Sequence, residues 1–300
     1  MKKTMTRKLY LITGIISLFT SSIIAQSSLG GSLSNAVSIN YKGNLIGSGF
    51  YYLNDSYMYL VTASHVLFKK DSLQNITDKL RFEKVQLKSY SKYNFKTNIS
   101  VIEVDLKKND HIKKHKLKDV CVVKIGIFKK VKSENDYTIT TLSNVSVVKN
   151  LGKISGFSKS KILRFKDLEQ GNEVRIIGYP KSLEYVKTNG VKLFEFEIPL
   201  LQSGVVSGLS SSVGNIITNA PIFYGNSGGA VLYRVDDIKL NVETQKLVFS
   251  TDYFLIGVAT DFIPFILDTK MKDDRVDISN SGYSVIVPID YALEIMSEVK

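Results

Sequence analysis

The sequence has one cysteine, only three histidines and no alternation of short strands with long helices. One cysteine cannot form an intramolecular disulfide, so stability must come from the apolar core. Without that alternation, a parallel α/β sheet is not expected. Chemistry that needs an imidazole has few candidates, namely His65, His111 and His115.

The composition favours an all-β protein with a sizeable core. Apolar residues make up 44% of the 300 residues, in short β-branched and aromatic runs separated by Gly, Asn, Ser and Lys clusters. Such runs are typical of strands. After Pro288, apolar residues recur at helical spacing over residues 291–299, which predicts a helix at the end of the chain.

A serine framed by glycines, in the Gly-Asn-Ser-Gly-Gly segment at residues 225–229, is a candidate nucleophile. The glycines allow a sharp turn that presents the hydroxyl of Ser227 and aims nearby N–H groups at one point. Flexible loops have the same composition, so this segment alone leaves both interpretations open. A serine nucleophile also needs a base within hydrogen-bond reach and a carboxylate that orients the base.

His65 is the best candidate for the base because it follows an apolar, strand-like run that ends in small residues at 60–64. The other two histidines lie in residues 107–116, a lysine-rich stretch that predicts a solvated loop. Their i, i+4 spacing suits a metal only if the stretch is helical, and the surrounding lysines repel a cation. No metal site is therefore predicted.

Asp119 is the preferred orienting carboxylate because it opens the β-branched run 120–125. A carboxylate that leads into a buried strand is costly unless it has a partner. The alternative is an ordinary solvated aspartate at a strand start, and Asp105 and Asp110 are rivals that introduce less apolar segments. On the same strand, Cys121 is expected to be a small buried hydrophobic side chain.

Three blocks resemble the trypsin-like serine peptidases of the chymotrypsin fold, and within them the disulfide-free bacterial HtrA-like protease domains. They correspond to the strand pair before the base, the aspartate strand and the nucleophile loop, at residues 47–50 with 60–66, 119–125, and 218–221 with 225–229. The order histidine, aspartate, serine is that of this fold and not of α/β-hydrolases or subtilisins. Weaker matches lie at residues 171–180, 203–208, 255–259 and 287–290.

The resemblance implies two six-stranded antiparallel β-barrels followed by the helix. We place the first barrel, with His65 and Asp119, in residues 26–160, and the second, with Ser227, in residues 161–300. Only the length of a helix remains after the second barrel, so no PDZ domain is expected. The oligomeric state is not predicted.

Residues 1–25 are predicted to be a secretory signal peptide, because four positive residues precede an uncharged apolar stretch from residue 9 to 25. The alternative is a retained membrane anchor, since the stretch approaches spanning length and Ile23 stands where alanine is commoner. We therefore expect an exported protein, periplasmic or extracellular, that contacts a membrane only if this segment is retained.

The formal net charge of +12 includes the four positive residues of the predicted signal peptide, so about +8 remains without it. A basic surface favours acidic substrates, anionic envelopes or nucleic acid. The lysines are scattered among loops and are not part of a recognition motif, so no nucleic-acid partner is predicted. The expected partner is a protein or peptide substrate.

The resemblance also implies the roles of the site residues. His65 acts as the base, Asp119 orients it, Ser227 attacks, and the N–H groups of Gly225 and Ser227 form the oxyanion hole. This chemistry requires no metal or organic cofactor. Asn226 stands where pancreatic-type members carry an aspartate that pairs with a newly cut amino terminus, so activation by that ion pair is not expected.

By the same resemblance, the primary pocket receives the side chain before the cleaved bond, and its candidate residues are Pro221, Ile222, Ala259, Thr260, Asp261 and Ser284. No acid stands at the position of Pro221, and Ala259 replaces the histidine of glutamyl endopeptidases. We therefore expect an apolar pocket for small or medium aliphatic side chains, although Asp261 leaves a basic preference open.

The alternative to a serine endopeptidase is a catalytically silent module that binds protein or envelope ligands.

Overall fold

The computed structural model describes residues 29–54, 56–90, 99–107, 109–130, 137–149, 154–181, 187–188, 191–192, 197–241, 246–267 and 277–299. The predicted signal peptide, residues 1–25, lies outside the described residues. Among the described residues, those within 236–252 belong to one compact unit, and those within 29–235 and 253–299 belong to another. In the first unit the hydroxyl of Thr251 donates a hydrogen bond to Asp236 at 2.7 Å. The candidate site lies in the second unit.

The first half of the chain forms a ten-stranded sheet and a separate hairpin. The strands are β1 (Ala36–Tyr41), β2 (Asn44–Asn54), β3 (Tyr57–Thr62), β4 (Phe68–Lys70), β5 (Ile76–Leu80), β6 (Lys84–Tyr90), β7 (Ile99–Asp105), β8 (Ile112–Lys114), β9 (Cys121–Lys130), β10 (Tyr137–Thr141), β11 (Val145–Lys149) and β12 (Phe157–Ser158). The sheet runs in the order β10-β9-β3-β2-β1-β6-β7-β11, with β8 beside β9 and β12 beside β2, while β4 and β5 form the hairpin. Because β10 and β11 end this order and are consecutive in the chain, the sheet curls round on itself.

The second half forms a closed six-stranded barrel in the order β13-β16-β17-β20-β19-β18. The strands are β13 (Glu173–Gly178), β14 (Lys187–Thr188), β15 (Val191–Lys192), β16 (Leu200–Ser210), β17 (Asn215–Thr218), β18 (Ala230–Asn241), β19 (Lys246–Leu267) and β20 (Asp277–Pro288), of which β14 and β15 form a separate hairpin. The described helices are Leu29–Leu33, Ser64–Leu67 and Ile289–Met296, with 3-10 turns at Asn109–His111, Lys159–Lys161 and Phe165–Asp167. The all-β class with chymotrypsin-like curled sheets and a C-terminal helix is confirmed.

Strands β2, β3 and β9 are buried on both faces, which fixes the core. Side chains on one face, such as Tyr51 and Leu60, pack inside the first sheet. Their neighbours on the other face, such as Phe50 and Val61, pack in a cluster that also holds Ile177 of the second barrel. Each large apolar side chain buried in this way contributes about 1.5–3 kcal/mol.

The C-terminal helix begins directly after Pro288, whose missing N–H is not needed at a helix start. It buries one apolar stripe, formed by Ile289, Ala292, Ile295 and Met296, against the core. Among the described residues no helix is long and apolar enough to span a membrane.

The solvated loop predicted for residues 107–116 is partly wrong, because Ile112–Lys114 forms β8, which pairs with β9. The buried strand β9 needs partners for its backbone N–H and C=O groups, and this outweighs the lysine-rich composition. The chain leaves the first sheet after Ser158, opposite Leu53, and reaches the second half at Ile162, which bridges to Leu255. The domain boundary at residue 160 stays a prediction.

Cys121 is fully buried on β9, and its Sγ lies 3.9 Å from the carbonyl oxygen of Ala63. Burial, with a smaller effect from the nearby Asp119 carboxylate, raises the pKa of the Cys121 thiol far above its usual range. The thiol therefore stays protonated and packs as a small apolar group.

Candidate active site

His65 is carried by the helical turn Ser64–Leu67, which follows β3 directly. The two apolar residues of the turn, Val66 and Leu67, are fully buried and anchor it, while the imidazole is only partly covered. The guanidinium of Arg81 donates a hydrogen bond to the carbonyl oxygen of His65 at 2.8 Å. The backbone of His65 is thus held by a buried strand end and by this contact.

Asp119 holds His65 with both carboxylate oxygens. Its Oδ2 lies 2.5 Å from Nδ1 of the imidazole, and its Oδ1 accepts the backbone N–H of His65 at 3.0 Å. The pair is partly open to solvent, with 22% and 24% of the side chains of His65 and Asp119 exposed. In the neutral ring this hydrogen bond places the proton on Nδ1, which leaves Nε2 free to accept another proton.

Strand pairing explains why these two residues meet although they are far apart in sequence. β3 lies beside β9, with Thr62 opposite Cys121. The end of β3 leads into the turn that carries His65, and Asp119 comes just before β9. The predicted pairing of His65 with Asp119 therefore follows from the register of two buried strands.

Ser227 lies in a tight loop between β17 and β18. Gly228, with φ +91°, has no room for a side chain, because a Cβ atom there would lie 2.0 Å from the carbonyl oxygen of Ser48. The hydroxyl of Ser227 donates to the carbonyl oxygen of Thr260 at 3.3 Å. Within the described residues no hydrogen bond joins this hydroxyl to the ring of His65.

Ser48 on β2 joins the serine loop to the strands of the first sheet. Its backbone N–H donates to the carbonyl oxygen of Ser227 at 2.8 Å, and its hydroxyl donates to that of Gly225 at 2.6 Å. The same hydroxyl accepts the N–H of Tyr179 at 2.8 Å. Its carbonyl oxygen accepts the hydroxyl of Thr62 at 2.6 Å, three residues before His65. One buried serine thus fixes the serine loop relative to the strand that carries the histidine.

Within residues 225–229, two backbone N–H groups remain available. Asn226, Gly228 and Gly229 donate theirs to carbonyl oxygens at 2.9, 2.7 and 2.8 Å. Among the described residues, neither Gly225 nor Ser227 donates its N–H to another protein group. These are the two amides that the sequence resemblance assigns to the oxyanion hole.

Asn226 is 1% exposed and donates from Nδ2 to Oε1 of Gln202 at 2.8 Å. Its Oδ1 has no hydrogen-bond partner among the described residues. The side-chain amides of Asn226 and Gln202 are both neutral, so this position holds no buried charge that needs a cation. Activation without an amino-terminal ion pair stays a prediction.

The predicted pocket residues differ in where the structure places them. Ile222 and Ala259 are buried in the core of the second barrel, and Pro221 is partly exposed. Ser284 is fully buried, and its hydroxyl donates to the carbonyl oxygen of Ala220 at 2.6 Å.

The other two pocket candidates lie on β19. The hydroxyl of Thr260 donates to the carbonyl oxygen of Val285 at 3.0 Å. Asp261 is exposed, and its carboxylate accepts the N–H of Phe262 at 2.9 Å. Within the described residues, no group of three or more His, Cys, Asp or Glu side chains is placed to hold a metal ion.

Three residues that were not predicted from the sequence, Ser48, Thr62 and Gln202, hold the loop in place through their contacts. Ser48 lies in the Gly-Ser-Gly segment at residues 47–49, which the resemblance used only as part of a strand. The sequence signal that could have identified Ser48 is a serine between two glycines, on the strand that pairs with the strand before His65. Thr62 and Gln202 gave none, because each acts on a residue distant in sequence.

A family model described as the trypsin-like peptidase domain matches residues 47–236, which is more than half of this chain. No curated protein is significantly similar in sequence. Among solved structures, the chain is similar to the serine endoprotease from Yersinia pestis, at 16% identity and a TM-score of 0.44, over 89% of this chain and 63% of that one. It is also similar to the HtrA-type protease AlgW, solved with a tripeptide, at 16% identity and a TM-score of 0.48, over 91% and 62%. The chain spans less than two thirds of the length of either protein.

Replacing Ser48 with alanine tests how strongly the loop is anchored. Ser48→Ala leaves the carbonyl of Gly225 and the N–H of Tyr179 without a partner, so the free energy of unfolding should fall by about 1–3 kcal/mol. Urea denaturation measures this value. The control is Ser207→Ala, at an exposed position on β16, which should change it by less than about 0.5 kcal/mol. A loss for Ser48→Ala no larger than that of the control would contradict the anchoring role.

Proposed function

The chain belongs to the family of trypsin-like peptidase domains, and on this premise we propose that it is a serine endopeptidase acting through His65, Asp119 and Ser227. The observation that carries the proposal is the 2.5 Å contact between His65 Nδ1 and Asp119 Oδ2. The two residues of this contact lie next to strands β3 and β9 of the first sheet. Ser48, on β2 of the same sheet, anchors the serine loop. Within residues 225–229, the two N–H groups that donate to no other described protein group are those of Gly225 and Ser227, the residues assigned to the oxyanion hole.

The proposed reaction begins when the hydroxyl of Ser227 rotates away from Thr260 towards Nε2 of His65. His65 takes the hydroxyl proton while the serine oxygen attacks the peptide carbonyl, and Asp119 stabilises the imidazolium that forms. The N–H groups of Gly225 and Ser227 hold the developing oxyanion, with about 3 kcal/mol from each donor. His65 then protonates the leaving amine, and water repeats the cycle on the acyl-enzyme.

Covalent labelling with a fluorophosphonate probe tests the proposal. The probe should label the wild type and should not label Ser227→Ala, because the label is the phosphonyl ester of an activated serine. Ser207→Ala, with its exposed hydroxyl on β16, is the matched control and should label like the wild type.

An unlabelled wild type that is fully folded would contradict the peptidase. That outcome would favour the silent binding module, whose support is the hydrogen bond from the Ser227 hydroxyl to Thr260 instead of His65.

The polar groups of the predicted pocket support an apolar substrate side chain. The hydroxyl protons of Ser284 and Thr260 are both used in hydrogen bonds to the protein's own carbonyl groups. The carboxylate of Asp261 is exposed and caps the next N–H of its own strand. Since a charged substrate side chain would lose its hydration without gaining a buried partner, a small or medium aliphatic side chain is favoured.

Cleavage of a peptide library tests this preference. Peptides with aliphatic residues before the cut should dominate for the wild type. Ser284→Gly should shift the preference towards larger side chains, because it removes a buried hydroxymethyl group from the predicted pocket. Dominance of Arg, Lys or Glu in the wild-type profile would exclude an apolar pocket.

We propose further that the protein is exported, on the support of the positive and apolar segments of residues 1–25. Amino-terminal sequencing of the protein from the producing cells should give a chain that begins at Gln26. A membrane-bound product that retains the first 25 residues would show an anchor instead.

A further inference from the structure

Asp119 lies in a six-residue loop, 115–120, that connects β8 to β9. The loop begins after the last pair of the hairpin, Lys114 opposite Cys121. It is closed by a hydrogen bond from the N–H of His115 to the carbonyl oxygen of Val120, at 2.9 Å. The conformation of this loop decides where the carboxylate of Asp119 stands relative to His65.

The side chain of His115 holds the loop from inside. Its Nδ1 accepts the backbone N–H groups of Leu117 and Lys118, at 3.1 and 3.0 Å. A ring nitrogen accepts only when it carries no proton, so in the neutral ring the proton is on Nε2, which lies 3.7 Å from a carboxylate oxygen of Glu294. Only 10% of the His115 side chain is exposed. The imidazole therefore caps the two N–H groups just before Asp119.

The C-terminal helix supports this loop through Tyr291. The ring of Tyr291 packs edge to face against the ring of His115, with centroids 5.0 Å apart. The ammonium of Lys118 lies 5.1 Å from the centroid of the same ring. The hydroxyl of Tyr291 lies against the backbone of Gly214, where a Cβ atom would come within 2.1 Å of it. Tyr291 thus packs between the backbone at Gly214 and the ring of His115 in the 115–120 loop.

Lys118 is also drawn away from its neighbour Asp119. Its ammonium donates to the carbonyl oxygen of Val213 and, at 2.7 Å, to Oδ1 of Asn215. Partial burial lowers the pKa of Lys118 from its usual value. These contacts keep the adjacent cation from pairing with Asp119, so that both carboxylate oxygens remain with His65.

We propose that His115 is a positioning residue, which with Tyr291 behind it holds the 115–120 loop so that Asp119 meets His65. This inference rests on the proposed peptidase function and deepens it. Without the acceptor at Nδ1, the loop relaxes, the hydrogen bond from His65 to Asp119 lengthens and the base loses its orientation. The predicted pocket lies on other elements, so the loss should appear in kcat and not in KM.

Two variants of His115 separate its hydrogen bonds from its packing. His115→Phe keeps a ring against Tyr291 and removes the acceptor, whereas His115→Asn keeps an acceptor oxygen near the place of Nδ1 and removes the ring. For His115→Phe we expect kcat to fall on the order of 10-fold to 100-fold, with KM within about twofold of the wild type. His115→Asn should recover most of kcat.

The matched control is Glu298→Gln, which breaks an exposed ion pair of 2.9 Å with Lys113 on the same hairpin and should behave as the wild type. A readout independent of turnover is the downfield proton resonance of the hydrogen bond between His65 and Asp119. This resonance should persist in the wild type and in His115→Asn, and it should shift or broaden in His115→Phe.

The outcomes distinguish the two proposals. A folded wild type that neither cleaves peptides nor reacts with the probe ends the peptidase proposal, while the resonance still tests the positioning role. An active wild type with unchanged kcat and resonance in His115→Phe overturns the role of His115. If circular dichroism shows that His115→Phe is unfolded, His115→Leu, which also removes the acceptor at Nδ1, replaces it, and an unchanged kcat in that variant has the same meaning.

Discussion

The contact between Ser48 and the serine loop is the constraint on which the geometry of the candidate site depends. Ser48 binds the carbonyl groups of Gly225 and Ser227 and accepts the hydroxyl of Thr62. Thr62 ends β3, the strand that leads to His65. Ser48 thus contacts both the loop of the proposed nucleophile and the strand that precedes the proposed base.

The charged groups of the site are arranged so that the carboxylate of Asp119 is hydrogen-bonded to His65. His65 occupies both oxygens of its carboxylate, and the ammonium of Lys118 is bound to Asn215. The buried position before the nucleophile holds a neutral amide, Asn226, hydrogen-bonded to a neutral partner. A site with this arrangement requires no second buried ion to balance it, as expected if the loop forms without a new amino terminus.

The sequence could predict the parts of the site that are encoded locally. The strand before His65, the apolar run after Asp119 and the glycines around Ser227 each carry their signal within a few residues. It could not predict the contacts that hold these parts together, because Ser48 and Gly225 are 177 residues apart. Strand β8 was not predicted for another reason. Its lysine-rich composition is typical of a loop, whereas the strand forms because it pairs with the backbone groups of β9.

We propose that the polar groups around Ser227 form one reaction centre. A crystal structure of the protein after reaction with a fluorophosphonate shows whether they do. We expect phosphorus bonded to Oγ of Ser227, the phosphoryl oxygen accepting the N–H groups of Gly225 and Ser227, and Nε2 of His65 within hydrogen-bond reach of the adduct. An adduct on another residue, or a phosphoryl oxygen that points away from both N–H groups, would contradict it.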